Sequence, residues 1–193
     1  MALWRIRATV EDRPGFLAVL AASLALQSIN ILSVQVHVTE AGAVDDFLVD
    51  APDSVGESDL LQAVARGRGR DAWVCRAEVR GLVDEPTRVL ALAARVAADP
   101  DVLEEALAAL LGGCDITWRA DSCRGREGYT ATDMVLADPA GGTLMVHRDE
   151  PAFTPAEYAR AHAFAELSGV ALARTPRRAP TAVVPPGAVV PPG

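Results

Sequence analysis

The chain has 193 residues, half of them hydrophobic, and a formal net charge of −8, which argues against nucleic acid as its main partner. All 18 basic residues are arginine, so Schiff-base chemistry and lysine-dependent phosphate loops are excluded. We expect no signal peptide, no membrane span and no disulfide framework. These expectations, together with three irregularly spaced cysteines, predict a cytoplasmic protein.

The first 82 residues predict four strands and two helices in the order βαββαβ. The predicted strands are Leu3–Val10, Ile31–Thr39, Ala43–Ala51 and Ala72–Leu82, the helices cover 16–27 and 58–66, and a turn covers 40–42. In the second strand we expect Leu32, Val34, Val36 and Val38 to point inward. This order is typical of a ferredoxin-like α+β fold. Because each strand has one polar face, we expect helices to cover only one side of the sheet.

The segment Glu11–Gly15 joins the first strand to the first helix and has the chemistry of a zwitterion site. Pro14 suits the first turn of a helix, and Gly15 leaves the backbone open to a ligand. The free N–H groups of that turn attract a carboxylate, and Asp12 beside them could hold an ammonium group. The segment therefore favours binding of a free amino acid.

Residues 3–82 resemble an ACT domain, the regulatory amino-acid-binding module of many biosynthetic enzymes. The resemblance is carried by Asp12-Arg13-Pro14-Gly15, the apolar helix that follows, and Ile29-Asn30-Ile31 at the entry to the second strand. It implies that a ligand contacts Asp12, Arg13, Pro14, Gly15, Phe16, Leu17, Asn30 and Ile31. Serine-binding members usually have Asn at the position of Asp12 and a polar residue at the position of Val10. An apolar ligand side chain, if any, is therefore more plausible than serine.

Each of these residues also has a purely structural interpretation. Asp12 is alternatively an acid that stabilises the dipole of the first helix. Asn30 is alternatively a helix C-terminal residue, since Asn tolerates left-handed geometry. His37 is more plausibly a solvated strand residue than a ligand contact. Asp45 and Asp46 are adjacent, so they point to opposite faces and cannot form an acid–base pair by themselves.

The second strand, Ile31–Thr39, is predicted to lie at an edge of the sheet and carries no proline, lysine or acid. Such an edge is open to pairing with another strand. ACT-like modules commonly pair this strand with its copy, so we expect a homodimer. That pairing would bring the loop at Asp12 of one copy near Asn30 of the other, and a bound amino acid would bridge the two.

The remaining residues predict a second domain and a tail. Residues 86–173 predict helices over 87–98 and 100–111, strands Asp115–Ala120, Ala131–Ala137 and Thr143–His147, and a long helix opened by the capping box Thr154–Glu157. This α+β segment, with about three antiparallel strands, resembles a reduced GAF-like domain, and a plain structural appendage is the alternative. Residues 174–193 are rich in proline and predict a disordered tail.

No catalytic or metal site is predicted. Cys123, His147 and Asp149 suggest a nucleophile group, but no local glycine framing supports it. No pair of Cys or His residues has ligand spacing, and no cofactor is implied. We expect a non-enzymatic regulatory protein that binds a free amino acid at an ACT-like dimer interface and signals to a partner protein. The alternative is a dimerisation module without a small-molecule ligand.

Overall fold

In the described part of the chain, two antiparallel four-stranded sheets form the framework, and five α-helices pack on them. The structure, a computed structural model, describes residues 1–39, 42–77, 85–121 and 125–174. We call residues 1–77 the N-terminal unit and residues 85–174 the C-terminal unit. The predicted α+β fold class is confirmed.

The N-terminal unit has the predicted βαββαβ order. Its elements are β1 (Ala2–Val10), α1 (Phe16–Ala25), β2 (Asn30–Thr39), β3 (Gly42–Ala51), α2 (Glu57–Arg66) and β4 (Arg70–Arg76). The strands are arranged β2-β3-β1-β4, and every pair is antiparallel. This is the strand order of a ferredoxin-like sheet, with β2 and β4 at its edges.

Periodicity explains how this unit forms its core. Alternate residues of β1 point towards the two helices, and Ile6 and Ala8 are completely buried there. Leu20 and Leu24 of α1 and Phe47 of β3 belong to the same cluster. The cluster therefore lies between the sheet and the α1–α2 layer.

Two predicted boundaries of this unit differ from the structure. We had placed Pro14 in the first turn of the first helix. Helix α1 instead begins at Phe16, after Gly15 at φ +94°, so Pro14 lies outside that turn. Strand β4 spans Arg70–Arg76, whereas the prediction was Ala72–Leu82, and residues 78–84 lie outside the described residues. The predicted turn at 40–42 falls partly outside them as well.

The inward prediction for β2 is correct for the face of three residues but not for their burial, and Leu32, 42% exposed, lies at a register shift between Ile31 and Ser33. Val34, Val36 and Val38 share the helix side of the sheet with their β3 neighbours, yet they are 41%, 47% and 63% exposed. The pattern gave the correct face, but β2 is the outermost strand and no described element covers that face. The N-terminal unit therefore has an apolar edge, which we define as Val34, Val36 and Val38.

The C-terminal unit contains the predicted strands and one more. Its elements are α3 (Glu85–Ala98), a 3₁₀ turn (Pro100–Val102), α4 (Leu103–Leu111), β5 (Asp115–Arg119), β6 (Gly128–Tyr129), β7 (Asp133–Ala137), β8 (Thr143–His147) and α5 (Pro155–Arg174). Their sheet order is β5-β8-β7-β6. The two-residue strand β6 was not among the predicted strands. A separate core joins α3, α4 and α5 to this sheet.

The polar face of the N-terminal sheet is covered, contrary to the prediction of a sheet covered on one side only. Arg7 of β1 and Asp46 of β3 are 5% and 7% exposed. Arg7 donates to Asp46 at 2.7 Å and reaches Glu157 at the start of α5 at 3.2 Å. It also donates to the carbonyl of Ala152 at 3.0 Å. This buried group of charges connects the two units.

Glu157 lies at the centre of that connection. It forms the predicted capping box, with the Thr154 N–H donating to Glu157 Oε2 at 2.9 Å and the Glu157 N–H donating to Thr154 Oγ1 at 3.2 Å. Arg148 donates to Glu157 Oε1 at 3.1 Å and to the carbonyl of Leu111 at 2.7 Å. Contacts to Arg7 and Arg148 hold the pKa of Glu157 below its usual value in spite of burial, which acts to raise it. We define Arg7, Asp46, Arg148 and Glu157 as the buried charge cluster.

Candidate functional site

The loop between β1 and α1 is open to solvent along its whole length. Asp12, Arg13, Pro14 and Gly15 are all exposed. The loop is shaped by its own backbone, since the Arg13 N–H donates to the Glu11 carbonyl at 2.8 Å and the Phe16 N–H donates to the Arg13 carbonyl at 3.3 Å. Arg13 Nε lies 3.5 Å from the Glu11 carboxylate, an exposed ion pair of small energetic weight.

Among the described residues, no side chain accepts a hydrogen bond at the N-terminus of α1, and the first turn of this helix contains no acidic residue. Asp12 is separated from that turn by three residues, so its interpretation as a dipole-stabilising acid of the first turn is not supported. Uncapped N–H groups at a helix start attract anions. We call the N-terminus of α1, from Gly15 through its first turn, the α1 mouth. Its free N–H groups are chemically suited to a carboxylate.

Glycine is required at position 15 by its backbone conformation. Gly15 has φ +94°, which L side chains rarely adopt, and an added Cβ would meet no atom within 4 Å. The constraint is thus conformational, not steric. Gly15 turns the chain into α1 and leaves the approach to the helix unobstructed.

Asn30 and Asp12 lie at opposite ends of the sheet within one chain. Asn30 is paired with Asp50, which in turn is opposite Leu3, whereas Asp12 follows Val10 at the other end of β1. At about 3.3 Å per residue these ends are roughly 25 Å apart. The structure therefore does not bring the two predicted contacts together in a single copy.

The helix-end interpretation of Asn30 was wrong. Helix α1 ends at Ala25, and the left-handed residue after it is Ser28 at φ 59°. Asn30 is the first residue of β2, is exposed, and is therefore extended and accessible.

The remaining predicted contacts are partly buried in the core. Phe16, Leu17 and Ile31 pack against the N-terminal cluster and are half-buried. Val10 is only 2% exposed, so it belongs to the core and does not line an open surface. His37, predicted to be solvated, is half-buried, and burial together with Arg160 and Arg7 lowers its pKa.

Sequence reasoning did not single out Asp45 as a functional residue. The residue has no exposed surface, and neither carboxylate oxygen has a hydrogen-bond partner among the described residues. Burial raises the pKa of Asp45 to about 6. A signal was available, because Asp45 is in phase with the buried Ala43 and Phe47 on the helix side of β3. An acid at a core position of a strand needs an explanation.

The C-terminal unit offers less chemistry. His147 Nδ1 lies 2.9 Å from Asp133 Oδ1, and His147 Nε2 lies 3.3 Å from Asp149 Oδ1, which raises the His147 pKa. Cys123 lies outside the described residues, so the hypothesis of a nucleophile group is untested. Burial raises the pKa of Cys114, which disfavours its reactive thiolate form. Within the part of the chain that the structure describes, no group of His, Cys, Asp and Glu residues is arranged to hold a metal ion.

Comparisons with known proteins give weak structural likenesses. No family model matches the chain, and no curated protein matches it. Among solved structures, the regulatory subunit of aspartate kinase from Thermus thermophilus is 16% identical with a TM-score of 0.33, over 86% of this chain and 93% of that one. An unknown protein from Galdieria sulphuraria is 16% identical with a TM-score of 0.37, over 86% and 89%.

A formyltetrahydrofolate deformylase from Pseudomonas putida KT2440 is 13% identical with a TM-score of 0.32, over 39% of this chain but only 28% of the deformylase. With likenesses this weak, the fold assignment rests on the strand order and register of the chain itself. The N-terminal unit is ferredoxin-like. No helix among its residues, or among the other described ones, is long and apolar enough to cross a membrane.

Proposed function

We propose that the chain is a non-enzymatic regulatory protein whose ACT-like N-terminal unit binds a free amino acid between two copies. The observation that carries this proposal is the placement of the α1 N-terminus and Asn30 at opposite ends of one sheet, beside the edge strand β2, which pairs with no described strand on its outer side. Two such strands paired antiparallel about a twofold axis place the start of each β2 beside the end of the other. Asn30 of one copy then approaches the α1 mouth of its mate.

The apolar edge supports the same pairing. Three exposed valines in alternation on one strand form an apolar stripe, and an unpaired edge also presents backbone donors and acceptors. Joining two edges satisfies these backbone groups and removes the stripe from water.

The α1 mouth supplies the chemistry for the ligand. Its uncapped N–H groups suit a carboxylate, and Gly15 leaves them accessible. Phe16 and Leu17, half-buried beside the mouth, and Ile31 beside Asn30 are apolar surfaces for the ligand side chain. Charge-assisted hydrogen bonds of about 1.5–3 kcal/mol each, less the cost of ordering, suit affinities of roughly millimolar to micromolar.

The proposal extends to a partner protein, because a ligand that bridges two copies changes their relative position. The buried charge cluster connects β1, the strand that leads into the α1 mouth, to α5 in the C-terminal unit. The C-terminal unit, which we still predict to be a reduced GAF-like domain, is thus placed to transmit the change. No catalytic residue is required of this chain in that arrangement.

A thermal-shift panel of the twenty amino acids, run together with sedimentation at tens of micromolar, tests the proposal. The expected result is a dimer whose melting temperature rises with at least one amino acid. Val34→Asp should give a monomer that has lost the shift, whereas Val170→Asp, a matched change at an exposed valine of α5, should keep both. A wild-type monomer that no amino acid stabilises would refute the proposal.

The alternative, a dimerisation module without a ligand, is favoured by one observation. The apolar edge is sufficient to explain pairing even if the α1 mouth stays empty. A wild-type dimer that shows no heat and no thermal shift with any amino acid would establish this alternative.

A further inference from the structure

The carboxylate of Asp45 is exceptional among the buried acids of the described residues. Asp46 accepts hydrogen bonds from Arg5 and Arg7, and Glu157 accepts them from Arg7 and Arg148. Asp45 is equally buried but receives none at either oxygen. A buried polar group without a partner is costly, so each one in a folded protein requires a specific reason.

The described residues around Asp45 provide no compensating charge. Its cross-strand neighbours are Ala8 on β1 and Val36 on β2. The charged and titratable residues next to it in sequence or register, Arg7, His37 and Asp46, belong to the opposite face of the sheet. Burial is accordingly the sole cause of the raised Asp45 pKa.

Topology places this carboxyl beneath the first turns of α1. Strands β1 and β2 are parallel with β3 between them, so the connecting helix α1 crosses the sheet over β3. Helix α1 begins at the Val10 end of β1, and Asp45 lies opposite Ala8, only two residues from that end. Above it the core-facing residues of the first turns are Phe16, Leu17 and Leu20, all apolar.

The α1 mouth and Asp45 therefore have complementary charges at one end of the same helix. The mouth presents uncapped N–H donors, and Asp45 presents an unpaired acceptor one strand in from the open edge. An α-amino acid carries a carboxylate and an ammonium group on the same carbon atom. Asp12, by contrast, is exposed, and an exposed acid gains little from an ammonium partner.

We propose that Asp45, and not Asp12, receives the ammonium group of an apolar α-amino acid whose carboxylate occupies the mouth of α1. The proposal rests on the proposed function and assigns the binding residue and the ligand class within it. The cross-strand neighbours of Asp45, Ala8 and Val36, and the core-facing residues of the first turns of α1 are apolar, which favours an apolar ligand side chain. Because the ammonium group neutralises Asp45, binding favours the deprotonated carboxylate.

Calorimetric titration of the full-length dimer tests this assignment with L-leucine, L-valine and L-phenylalanine as probes. The desamino counterparts are 4-methylpentanoate, 3-methylbutanoate and 3-phenylpropionate. We expect at least one of the three amino acids to bind the wild type and its desamino counterpart to bind far more weakly. Asp45→Asn should weaken the amino acid about tenfold to a hundredfold, the loss of one charge-assisted hydrogen bond. Asp12→Asn and the matched control Asp50→Asn, on the opposite face of the same strand, should change affinity less than twofold.

Proton release gives a second readout that a merely structural role would not produce. At pH 5.5, titrations in buffers of different ionisation enthalpy should show proton release on binding to the wild type and none for Asp45→Asn. Retained affinity and proton release in Asp45→Asn, or loss in Asp12→Asn instead, would overturn the assignment while leaving the sensor function intact. Binding of only polar amino acids would overturn the ligand class. If none of the twenty amino acids binds the wild type, the proposed function fails and this assignment fails with it.

Discussion

Removal of Glu157 should destabilise the whole chain more than any surface charge change. The side chains of Arg7 and Arg148 are only 6% and 2% exposed, and both guanidinium groups pair with the Glu157 carboxylate. Glu157→Ala removes that carboxylate and leaves the two positive charges buried near each other. It also removes the capping box at the start of α5. Breaking a buried ion pair by deleting one partner costs about 3–5 kcal/mol.

For a chain of this size each kcal/mol lowers the melting temperature by about 2–4 °C, so the expected loss is about 6–20 °C. The measurement is thermal and urea denaturation followed by circular dichroism. Glu105→Ala is the control, because its ion pair with Arg95 is exposed and worth at most about 1 kcal/mol. A loss for Glu157→Ala no larger than that of Glu105→Ala would refute the reasoning.

The pH dependence of the same variant checks the cause. The pKa of Glu157 is lowered from 4.5 in the folded chain, so the unfolded chain takes up the proton first as the pH falls. This carboxylate therefore contributes stability above pH 4.5 that is lost progressively below it. Glu157→Ala should lack that part of the acid-induced loss, and the difference between variant and wild type should shrink towards low pH.

Three further predictions concern other parts of the chain. The Asp45 pKa of about 6, against an ordinary value of 3.8, means that the folded chain keeps a proton that the unfolded chain has lost. Stability should therefore fall as pH rises through that interval, by about 3 kcal/mol, and Asp45→Asn should abolish this slope in urea denaturation. The His147 pKa should exceed 6.5 in an NMR titration and fall in Asp133→Asn, since that carboxylate is its main partner. Gly67→Ala should cost about 1–3 kcal/mol in thermal denaturation, because the new Cβ would lie 2.8 Å from Leu20 Cα, whereas Gly128→Ala, with open space around it, should cost less.

The order of elements could be predicted from the sequence because it is a local property. Period-2 and period-3.6 apolar patterns, with Gly and Pro at the boundaries, predicted the βαββαβ unit and the helices and principal strands that follow. The capping box of Thr154 and Glu157 was predicted from a spacing of three residues and is confirmed.

What covers each face of a sheet could not be predicted, because that depends on contacts between distant residues. The polar pattern of β1 was compatible with solvent, yet Arg7 meets Glu157 across 150 positions of sequence. The valines of β2 show the converse, since the apolar pattern gave the correct face but not its exposure. The sequence shows Asp45 as an acid at an otherwise apolar position of the alternating pattern of β3. Its lack of a hydrogen-bond partner among the described residues is evident only in three dimensions.

Helix α5 touches β2 on the side of the sheet opposite to the apolar edge. If two copies join through β2, a twofold axis perpendicular to the sheet sets α1 and α2 of both copies above the joined sheet and both C-terminal units below it. The two α5 helices would then flank the seam as a symmetric ridge. A protein that recognises this ridge would distinguish the pair from a single copy without touching the amino acid at all.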